Sequence, residues 1–527
     1  MTRNLVNPGT DAEIDRQAAD MLRQIGALET SLVSLDDGSI LGVRPGSDWW
    51  EVLAWTPSGV LPPAGIAGET GALGPGSLVI AAATPATAAA LRRLVPWLRP
   101  RPVGSVTSMG LGDRLGMATP GHVAALRASP GVAPVLAQQS ARELGRMGRT
   151  FGDVVDAATF GAMASGWREG YGADGDHLKT IEQLAAALAA GCTMVTADPI
   201  DLVPDLPADA PRDALAAAFE RVPWAALEDD PKAFAARYPE TLALDGKPLS
   251  LPREALASAA ARFGAAVVQV FTMYRHLLDE PGGRDVEFEV AVDEIRHATT
   301  GIDHVYLATE LHRLGVRWVS FAPRFVGRFE KGIDYIGDTV AYEADVALHA
   351  AIARALGPYK LSVHSGSDKF SIYESTVRET RGLVHLKTSG TSYLEALHAL
   401  ALAEPDLLRR VWRVALDSYT KARASYYVSA NGMEEENAAD LPDADLVRLF
   451  DDPNTREILH VSFGAVLGGS AGGQPGQDTG QLAHDVRQAV WAHRVDYWAR
   501  LARHIERHLA PFSMASNAAP GAGAMAR

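Results

Sequence analysis

Cysteine is almost missing from the sequence. Cys192 is the only cysteine among 527 residues, and it lies in the apolar run CTMVT. A single thiol excludes a disulfide within the chain and any metal site built from several cysteines. Because a free cysteine behaves as a small apolar side chain, we expect Cys192 to be a buried structural residue.

Two further absences concern membranes and export. The sequence has no run of about 18 consecutive apolar residues, which a membrane-spanning helix requires. Its first residues, MTRNLVNPGTDAEID, contain no apolar signal core. We therefore expect a cytoplasmic protein that does not associate with membranes.

Basic residues are outnumbered. The 49 Lys and Arg residues face 64 Asp and Glu residues, which gives a formal net charge of -15. Such a charge repels polyanions, and no basic stripe interleaved with aromatics is present to overcome this repulsion. Nucleic acid is therefore not an expected partner. The expected partner is a small molecule, and a homo-oligomer is a further option.

What the sequence does contain is a regular alternation of β-rich runs and helical segments. Eight such runs end in polar residues. They are SVTSMGLGD from Ser105, VAPVLAQQS from Val132, EGYGADGDH from Glu169, CTMVTADP from Cys192, VEFEVAVDE from Val286, VRWVSFAPR from Val316, KLSVHSGSD from Lys360 and LVHLKTSGT from Leu383. Eight parallel strands close a barrel, so the sequence predicts an α/β fold of the TIM-type (β/α)8 class.

Four regions are expected along the chain. They are an N-terminal accessory α/β region (1–103), the catalytic barrel (104–440), C-terminal helical packing elements (441–512) and a disordered tail (513–527). An insertion at about 201–252, rich in Pro, Asp and Ala, is predicted to form a helical cap over the barrel mouth.

Smaller elements are predicted outside the barrel. In the N-terminal region we predict helices at 11–28 and 85–98 and strands at 31–43 and 49–56. In the C-terminal region the run EILHVSFGAVL resembles a strand, a Gly-rich stretch covers 468–480, and a strongly periodic helix covers 482–509.

The candidate metal ligands are histidines that close separate strands. In a parallel barrel the active site lies at the carboxyl ends of the strands, where His177, His364 and His385 occur. Neutral imidazoles among carboxylates suit Mn, Ni, Co, Zn or Fe. The sequence therefore predicts a divalent metal site formed by these three histidines. Glu330 or Asp334, after the sixth strand, is an alternative third ligand.

Strand alternation supports the direction of two of these histidines. In the seventh run Ser362 and His364 are predicted to face the lumen, and in the eighth run His385 and Lys387 point inward. His385 lies one layer deeper than Lys387, so its contact with the metal stays open.

Two carboxylate pairs are candidates for proton transfer. Asp176 precedes a predicted ligand, and Asp293 and Glu294 close the fifth strand. A carboxylate beside a cation stays ionised and can act as a base, whereas one in an apolar pocket can act as an acid. We predict Asp176 as base and Glu294 as acid, with Asp293 as the alternative and structural salt bridges as the competing interpretation. Glu287 and Glu289, lower on the same strand, are expected to be structural.

Several segments resemble the tagaturonate epimerases of bacterial uronate catabolism. They are GLGDRLGMATPGH at Gly110, LAQQSARE at Leu136, GYGADGDHLKT at Gly170, APRFVGRFEKGIDYIGD at Ala322, LSVHSGSDKFSIYES at Leu361, HLKTSGTSYLEAL at His385 and YYVSA at Tyr426. The resemblance implies a divalent-metal enzyme that interconverts D-tagaturonate and D-fructuronate. It also implies Asp176 and a fifth-strand acid as the proton-transfer pair, with His177 and His364 as ligands. Relatives of this family are associated with the neutral ketohexoses tagatose and fructose.

A substrate of this class predicts further contacts. Cationic donors at the rim suit a substrate carboxylate, and Arg324, Lys369 and Lys387 are the candidates. Gln138, at the end of the second strand, and Thr391, in the loop after the eighth, are expected to contact the rest of the sugar acid or ketohexose.

The reaction that this substrate implies is a retro-aldol cleavage followed by re-addition on the opposite face, because the inverted carbon is not adjacent to the ketone. Transient oxidation is the alternative, but GLGDRLG at Gly110 lacks the spacing of a dinucleotide-binding turn. Rival functions are a metal-dependent aldose-ketose isomerase, an aldolase, and a carbohydrate-binding protein without activity.

Overall fold

The N-terminal region is an antiparallel sheet with two helices. The computed structural model describes residues 8–245, 247–281, 283–431, 441–468 and 479–518. The first elements are α1 (Pro8–Gln24), β1 (Val33–Ser34), β2 (Ile40–Pro45), β3 (Trp50–Pro57), β4 (Glu69–Leu73), β5 (Gly76–Ala82) and α2 (Pro85–Leu94). The sheet order is β1-β2-β3-β5-β4. The predicted strand at 31–43 is two strands joined by a turn with Gly38 at φ +81°. Strands β4 and β5 were not predicted, since their Gly-rich sequence hides the alternation.

The first half of the barrel follows. Its elements are β6 (Ser108–Leu111), α3 (Thr119–Ala128), β7 (Ala133–Ser140), α4 (Ala141–Met147), α5 (Phe151–Ser165), β8 (Gly172–Leu178), α6 (Ile181–Ala189) and β9 (Met194–Ala197). Side-chain caps fix where the helices begin: Ser140 caps α4, and Thr150 forms a capping box with Asp153 at α5. The residue that ends β7 therefore also starts the next helix.

The predicted insertion separates the two halves of the barrel. It contains α7 (Arg212–Phe219), α8 (Pro231–Arg237) and a short ribbon of β10 (Thr241–Leu242) and β11 (Leu249–Ser250). The next helix is α9 (Arg253–Asp279), and α7 packs along it. Among the described residues of 201–252, Asp201 alone lines the cavity at the barrel mouth. Helix α7 thus flanks α9, and the described residues of the segment after Asp201 do not line the cavity.

Helix α9 is long and apolar enough by composition to cross a membrane. Most of its apolar window is buried in the fold, however, and Ala259, Phe263 and Val267 have no exposed surface. The helix is therefore explained as a core helix that packs beside the barrel.

The second half of the barrel repeats the pattern of the first. Its elements are β12 (Glu287–Ala291), α10 (Gly301–Arg313), β13 (Ser320–Ala322), α11 (Thr339–Leu356), β14 (Lys360–Val363), α12 (Tyr373–Thr380), β15 (Val384–Thr388) and α13 (Thr391–Ala403). The eight parallel strands close in the order β12-β13-β14-β15-β6-β7-β8-β9. The predicted (β/α)8 barrel is confirmed: seven strands lie within the predicted runs, and β8 extends one residue beyond its run, to Leu178.

The C-terminal region is helical. Its helices are α14 (Pro405–Ala422), α15 (Pro453–Val461), α16 (Phe463–Leu467), α17 (Thr479–Ala492) and α18 (Arg494–Ala518). The strand expected at EILHVSFGAVL is wrong: this run forms most of α15 and α16, because Asp452 caps a helix there. The predicted helix at 482–509 is divided between α17 and α18.

Two predicted features fall partly outside the described residues. Helix α18 reaches Ala518, so the tail predicted to be disordered from 513 begins as helix. Residues 519–527, and 469–478 of the Gly-rich stretch, lie outside the part of the chain that the structure describes.

Candidate active site

Three side chains from three strand ends meet at the rim of the barrel. His177 lies at the end of β8, Asp293 follows β12, and His364 follows β14. The Oδ1 atom of Asp293 is 3.5 Å from Nε2 of His177 and 2.9 Å from Nδ1 of His364. The centroids of the two imidazole rings are 4.9 Å apart. We call His177, Asp293 and His364 the mouth cluster.

An irregular backbone brings His177 into this cluster. Regular alternation in β8 would turn Asp174 and Asp176 into the lumen and His177 toward the helices. His177 instead has a φ of 53°, which a residue other than glycine rarely adopts, and the register between β8 and β9 shifts between Gly175 and Leu178. This bend lets both Asp176 and His177 reach the site.

Each histidine of the mouth cluster is held by a carboxylate. Nδ1 of His177 and Oδ1 of Asp176 form a hydrogen bond of 2.8 Å, and Nε2 of His364 bonds Oε1 of Glu289 at 2.8 Å. The opposite ring nitrogens, together with Oδ1 of Asp293, are buried and make no well-formed hydrogen bond in the described residues. Metal-binding histidines have this arrangement, with a carboxylate on one nitrogen and the ion on the other.

The donor set of the mouth cluster fits a divalent cation. Two imidazoles and a carboxylate suit Mn, Ni, Co, Zn or Fe. Burial opposes a charge on His364, but Asp293 and Glu289 outweigh it and raise the pKa of His364 to about 9. The site therefore attracts positive charge. Asp198 and Glu294 also offer oxygens within 4.8 Å of a nitrogen of His177.

A buried lysine supports the carboxylates beneath the cluster. Nζ of Lys387 lies 2.7 Å from Asp174, 2.8 Å from Asp176, 2.7 Å from Glu289 and 2.7 Å from Oγ1 of Thr196. Burial disfavours the charge of Lys387, yet the three carboxylates raise its pKa well above the ordinary value. One cation thus holds the two carboxylates that hold the two histidines.

The structure does not bring His385 into the mouth cluster. His385 is completely buried one layer deeper, where its Nδ1 bonds Oγ of Ser108 at 2.9 Å, and burial lowers its pKa well below the ordinary value. The two alternative ligands are also engaged elsewhere: Glu330 accepts two hydrogen bonds from Ser429, and Asp334 accepts bonds in the loop after β14. The third member of the mouth cluster is Asp293.

The two residues predicted to transfer protons lie on opposite sides of His177. Burial would raise the pKa of Asp176, but His177 and Lys387 hold it far below the ordinary range. Glu294 forms a two-point ion pair with Arg142 at 2.6 and 3.0 Å and lines the cavity above the cluster. Burial would raise the pKa of Glu294, but His177 and Arg142 lower it, so Glu294 lacks the raised pKa on which its predicted role as acid was based.

Two of the predicted substrate contacts lie at the cavity. Gln138 lines the cleft beside the mouth cluster and donates a 3.1 Å hydrogen bond to Oδ2 of Asp176. Arg324 lines the larger cavity above it, and its backbone is fixed by the hydroxyl of Thr299.

The other three predicted contacts are already engaged with the protein. Lys369 donates to three backbone carbonyls and does not line the cavity. Thr391 donates to Asp368, away from the mouth. Lys387 reaches the cleft, but four oxygens surround its ammonium group. The position of a residue at the end of a predicted strand does not reveal these hydrogen-bond partners within the protein.

The cavity over the mouth cluster has a volume of about 830 Å³. Its lining residues include several that were not predicted as site residues, among them Arg142, Lys331, Tyr426 and Tyr427. Arg142 begins the helix after β7, Lys331 lies in the FEKGID loop, and the tyrosines lie in YYVSA. Each belongs to a segment that carries the family resemblance, and this resemblance was the signal that could have identified it as a site residue.

Comparisons with known proteins agree with this geometry. A family model described as tagaturonate epimerase matches residues 67–512. The chain is 38% identical over 419 residues to the tagaturonate/fructuronate epimerase of Thermotoga maritima. This alignment covers 80% of this chain and 83% of the relative. Crystal structures of fructuronate-tagaturonate epimerase UxaE from Cohnella laeviribosi, native and with glycerol, match with a TM-score of 0.85 and 31% identity, covering 94% of this chain and 99% of theirs.

Proposed function

This chain belongs to the tagaturonate epimerase family, and from that membership we propose that it interconverts D-tagaturonate and D-fructuronate in a metal-dependent reaction at the barrel mouth. The observation that carries the metal dependence is the mouth cluster. His177, Asp293 and His364 present three buried donor atoms that lack well-formed hydrogen bonds in the described part of the chain. The substrate pair comes from the named relatives.

The residues that would hold the cation are His177, Asp293 and His364, with Asp176 and Glu289 fixing the two imidazole rings. A bound divalent cation would polarise the ketone of the substrate and stabilise the negative charge that develops on it. Loading the protein with Mn, Ni, Co, Zn or Fe in turn identifies the cation that supports turnover.

The reaction that fits the substrate is retro-aldol epimerisation. A base removes the proton of the hydroxyl on the carbon to be inverted. The bond between this carbon and its neighbour next to the ketone breaks, which gives an aldehyde and an enediolate. The aldehyde presents its other face, the bond forms again, and the new alkoxide recovers a proton. No carbon-bound hydrogen is exchanged on this route.

Asp176 and Glu294 are the proposed proton-transfer pair. Glu294 lines both the cavity and the cleft above the mouth cluster, so it can reach a substrate hydroxyl. Asp176 also lines the cleft, but its oxygens already accept bonds from His177, Lys387 and Gln138. We therefore assign proton transfer on the cavity side to Glu294, and on the side of β8 to Asp176.

The test is turnover by metal-free and metal-loaded protein. Chelator-treated protein is incubated with D-tagaturonate, D-fructuronate, tagatose and fructose, alone or with Mn, Ni, Co, Zn or Fe, and the sugars are separated by chromatography. We expect epimerisation of the uronates by the metal-loaded protein only. Turnover of none of the four sugars with any metal would reject the proposed function.

The same assay in deuterium oxide separates epimerisation from the rival isomerase reaction. Retro-aldol epimerisation should give a product without deuterium on carbon, because only hydroxyl protons are exchanged. An aldose product with deuterium on carbon would instead indicate an isomerase that acts by proton transfer at carbon.

A further inference from the structure

The cavity above the mouth cluster is lined by an unusual number of basic side chains. Seven lysines and arginines reach it, although the protein as a whole is acidic. They are Arg142, Lys179, Arg296, Arg324, Arg328, Lys331 and Arg423. Such a concentration of positive charge favours an anionic ligand.

Five of these cations already have acceptors within the protein. The pairs are Arg142 with Glu294, Lys179 with Asp201, Arg296 with Asp205, Arg328 with Glu330, and Arg423 with the carbonyls of Val428 and Ala430. Their charges are thus balanced or their donors occupied without a ligand.

Lys331 and Arg324 are different. Nζ of Lys331 donates to Oγ of Ser365 at 2.5 Å, and no carboxylate lies within 4.0 Å of it among the residues that the structure describes. The guanidinium of Arg324 likewise has no hydrogen bond or ion pair within the described ranges. Both side chains are half-buried. A cation removed from water without a counter-ion is costly, which indicates that a ligand supplies the missing charge.

Lys331 also has a favourable position. It lines the large cavity together with Arg324, and it lines the narrower cleft that contains His177 and His364. Its partner Ser365 follows His364 directly in the chain. A group bound to Lys331 therefore lies on the cavity side of the mouth cluster and close to it.

We propose that Lys331 and Arg324 form the subsite that binds the substrate carboxylate and makes the protein prefer uronates to neutral ketohexoses. This inference rests on the proposed function. In a hexulosonate the carboxylate and the ketone lie on opposite sides of the inverted carbon. With the ketone at the mouth cluster, the carboxylate then points into the cavity, where a lysine and an arginine can each donate charge-assisted hydrogen bonds.

The test compares uronate and ketohexose kinetics in metal-loaded variants. Lys331→Met should lower kcat/KM for D-tagaturonate about 10- to 100-fold, mainly through KM, and change kcat/KM for tagatose less than about threefold. Arg324→Met should act in the same direction, and Lys331→Arg should restore most of the uronate activity. Lys179→Met and Arg296→Met are matched controls, because these cations line the same cavity but already have carboxylate partners.

Two further measurements keep the outcomes distinct. Metal content should be unchanged in Lys331→Met; equal losses with both substrate classes, or loss of metal, would overturn the subsite. Calorimetric titration with D-tagaturonate does not depend on turnover. If the wild type binds the uronate through Lys331 but epimerises nothing, the proposed function fails and the subsite stands. If the wild type epimerises and Lys331→Met keeps its preference, the subsite fails alone.

Discussion

Within the described residues, two groups of one aspartate and two histidines differ in what surrounds them. The first group is the mouth cluster at the barrel rim. The second group consists of Asp368, in the loop after β14, and of His504 and His508 on α18, and we call it the flank cluster. By residue type both could hold a metal ion. Their hydrogen bonds show which of the two groups has donor atoms available for a metal ion.

The flank cluster is satisfied by its own polypeptide. His504 bonds Oδ1 of Asp368 at 2.6 Å, while Oδ2 of Asp368 accepts from Thr391 and faces Arg456, each at 3.2 Å. His508 accepts the backbone N–H of Asp368 at 2.9 Å and donates to a carbonyl at 3.0 Å. Burial opposes the charge of Asp368, but Arg456 and His504 hold its pKa well below the ordinary value.

The comparison teaches that ligand-type residues in proximity are not sufficient to identify a metal site. In the mouth cluster three donor atoms remain without well-formed hydrogen bonds and lie beside a cavity. In the flank cluster the ring nitrogens of His508 and the oxygens of Asp368 are all engaged within the protein. The bonds that Asp368 makes with His504 and His508 attach α18 to the barrel. We therefore assign function to the first and fold stability to the second.

The largest expected effect tests this division directly. His364→Ala removes a donor of the mouth cluster, so metal content measured by mass spectrometry should fall to background. Uronate turnover should fall below about one-hundredth of the wild type, since even the loss of an outer partner of a ligand costs 10- to 100-fold. His508→Ala is the matched control and should retain its metal. A His364→Ala protein that keeps metal and turnover would remove this residue from the ligand set.

The barrel itself was predictable because each strand is an apolar run closed by polar residues, and eight such runs allow one closed arrangement. The regions outside it lack so clear a pattern. Strand β4 contains Gly71 and β5 begins at Gly76, and the apolar spacing of α15 and α16 is compatible with a strand. The secondary structure of such segments is decided by tertiary contacts and, for α15, by the helix cap at Asp452.

The site was predictable to the extent that strand ends determine it. His177 and His364 close their strands and meet at the rim as expected. Alternation also indicates that His385 lies one layer deeper than Lys387, and in the structure His385 is paired in register with Ser108 below the mouth cluster. Lys331 and Arg142 lie in a loop and at a helix start, where no alternation fixes the side chain.

The second-largest expected effect is that of a substitution in the flank cluster. Asp368→Asn keeps the shape of the side chain but removes the charge that His504 and Arg456 face. We expect urea unfolding to show a loss of about 3 kcal/mol, while metal content stays at the wild-type level. Asp406→Asn is a matched control, because Asp406 is fully exposed in its ion pair with Arg409 and should change stability by less than about 0.5 kcal/mol. Loss of metal from Asp368→Asn would show that the two clusters are not separate in function.

The smallest expected effect concerns His385, which the sequence placed among the ligands and the structure places below them. Its described hydrogen bond joins Nδ1 to Ser108, and its neutral ring is favoured by burial. His385→Asn can preserve a bond to Ser108, so we expect a stability loss of about 1 kcal/mol and full metal content. Turnover should stay within about twofold of the wild type, because the ring is one layer beneath the reacting groups. A fall in metal content comparable to that of His364→Ala would mean that His385 reaches the ion, and the mouth cluster would then need a fourth member.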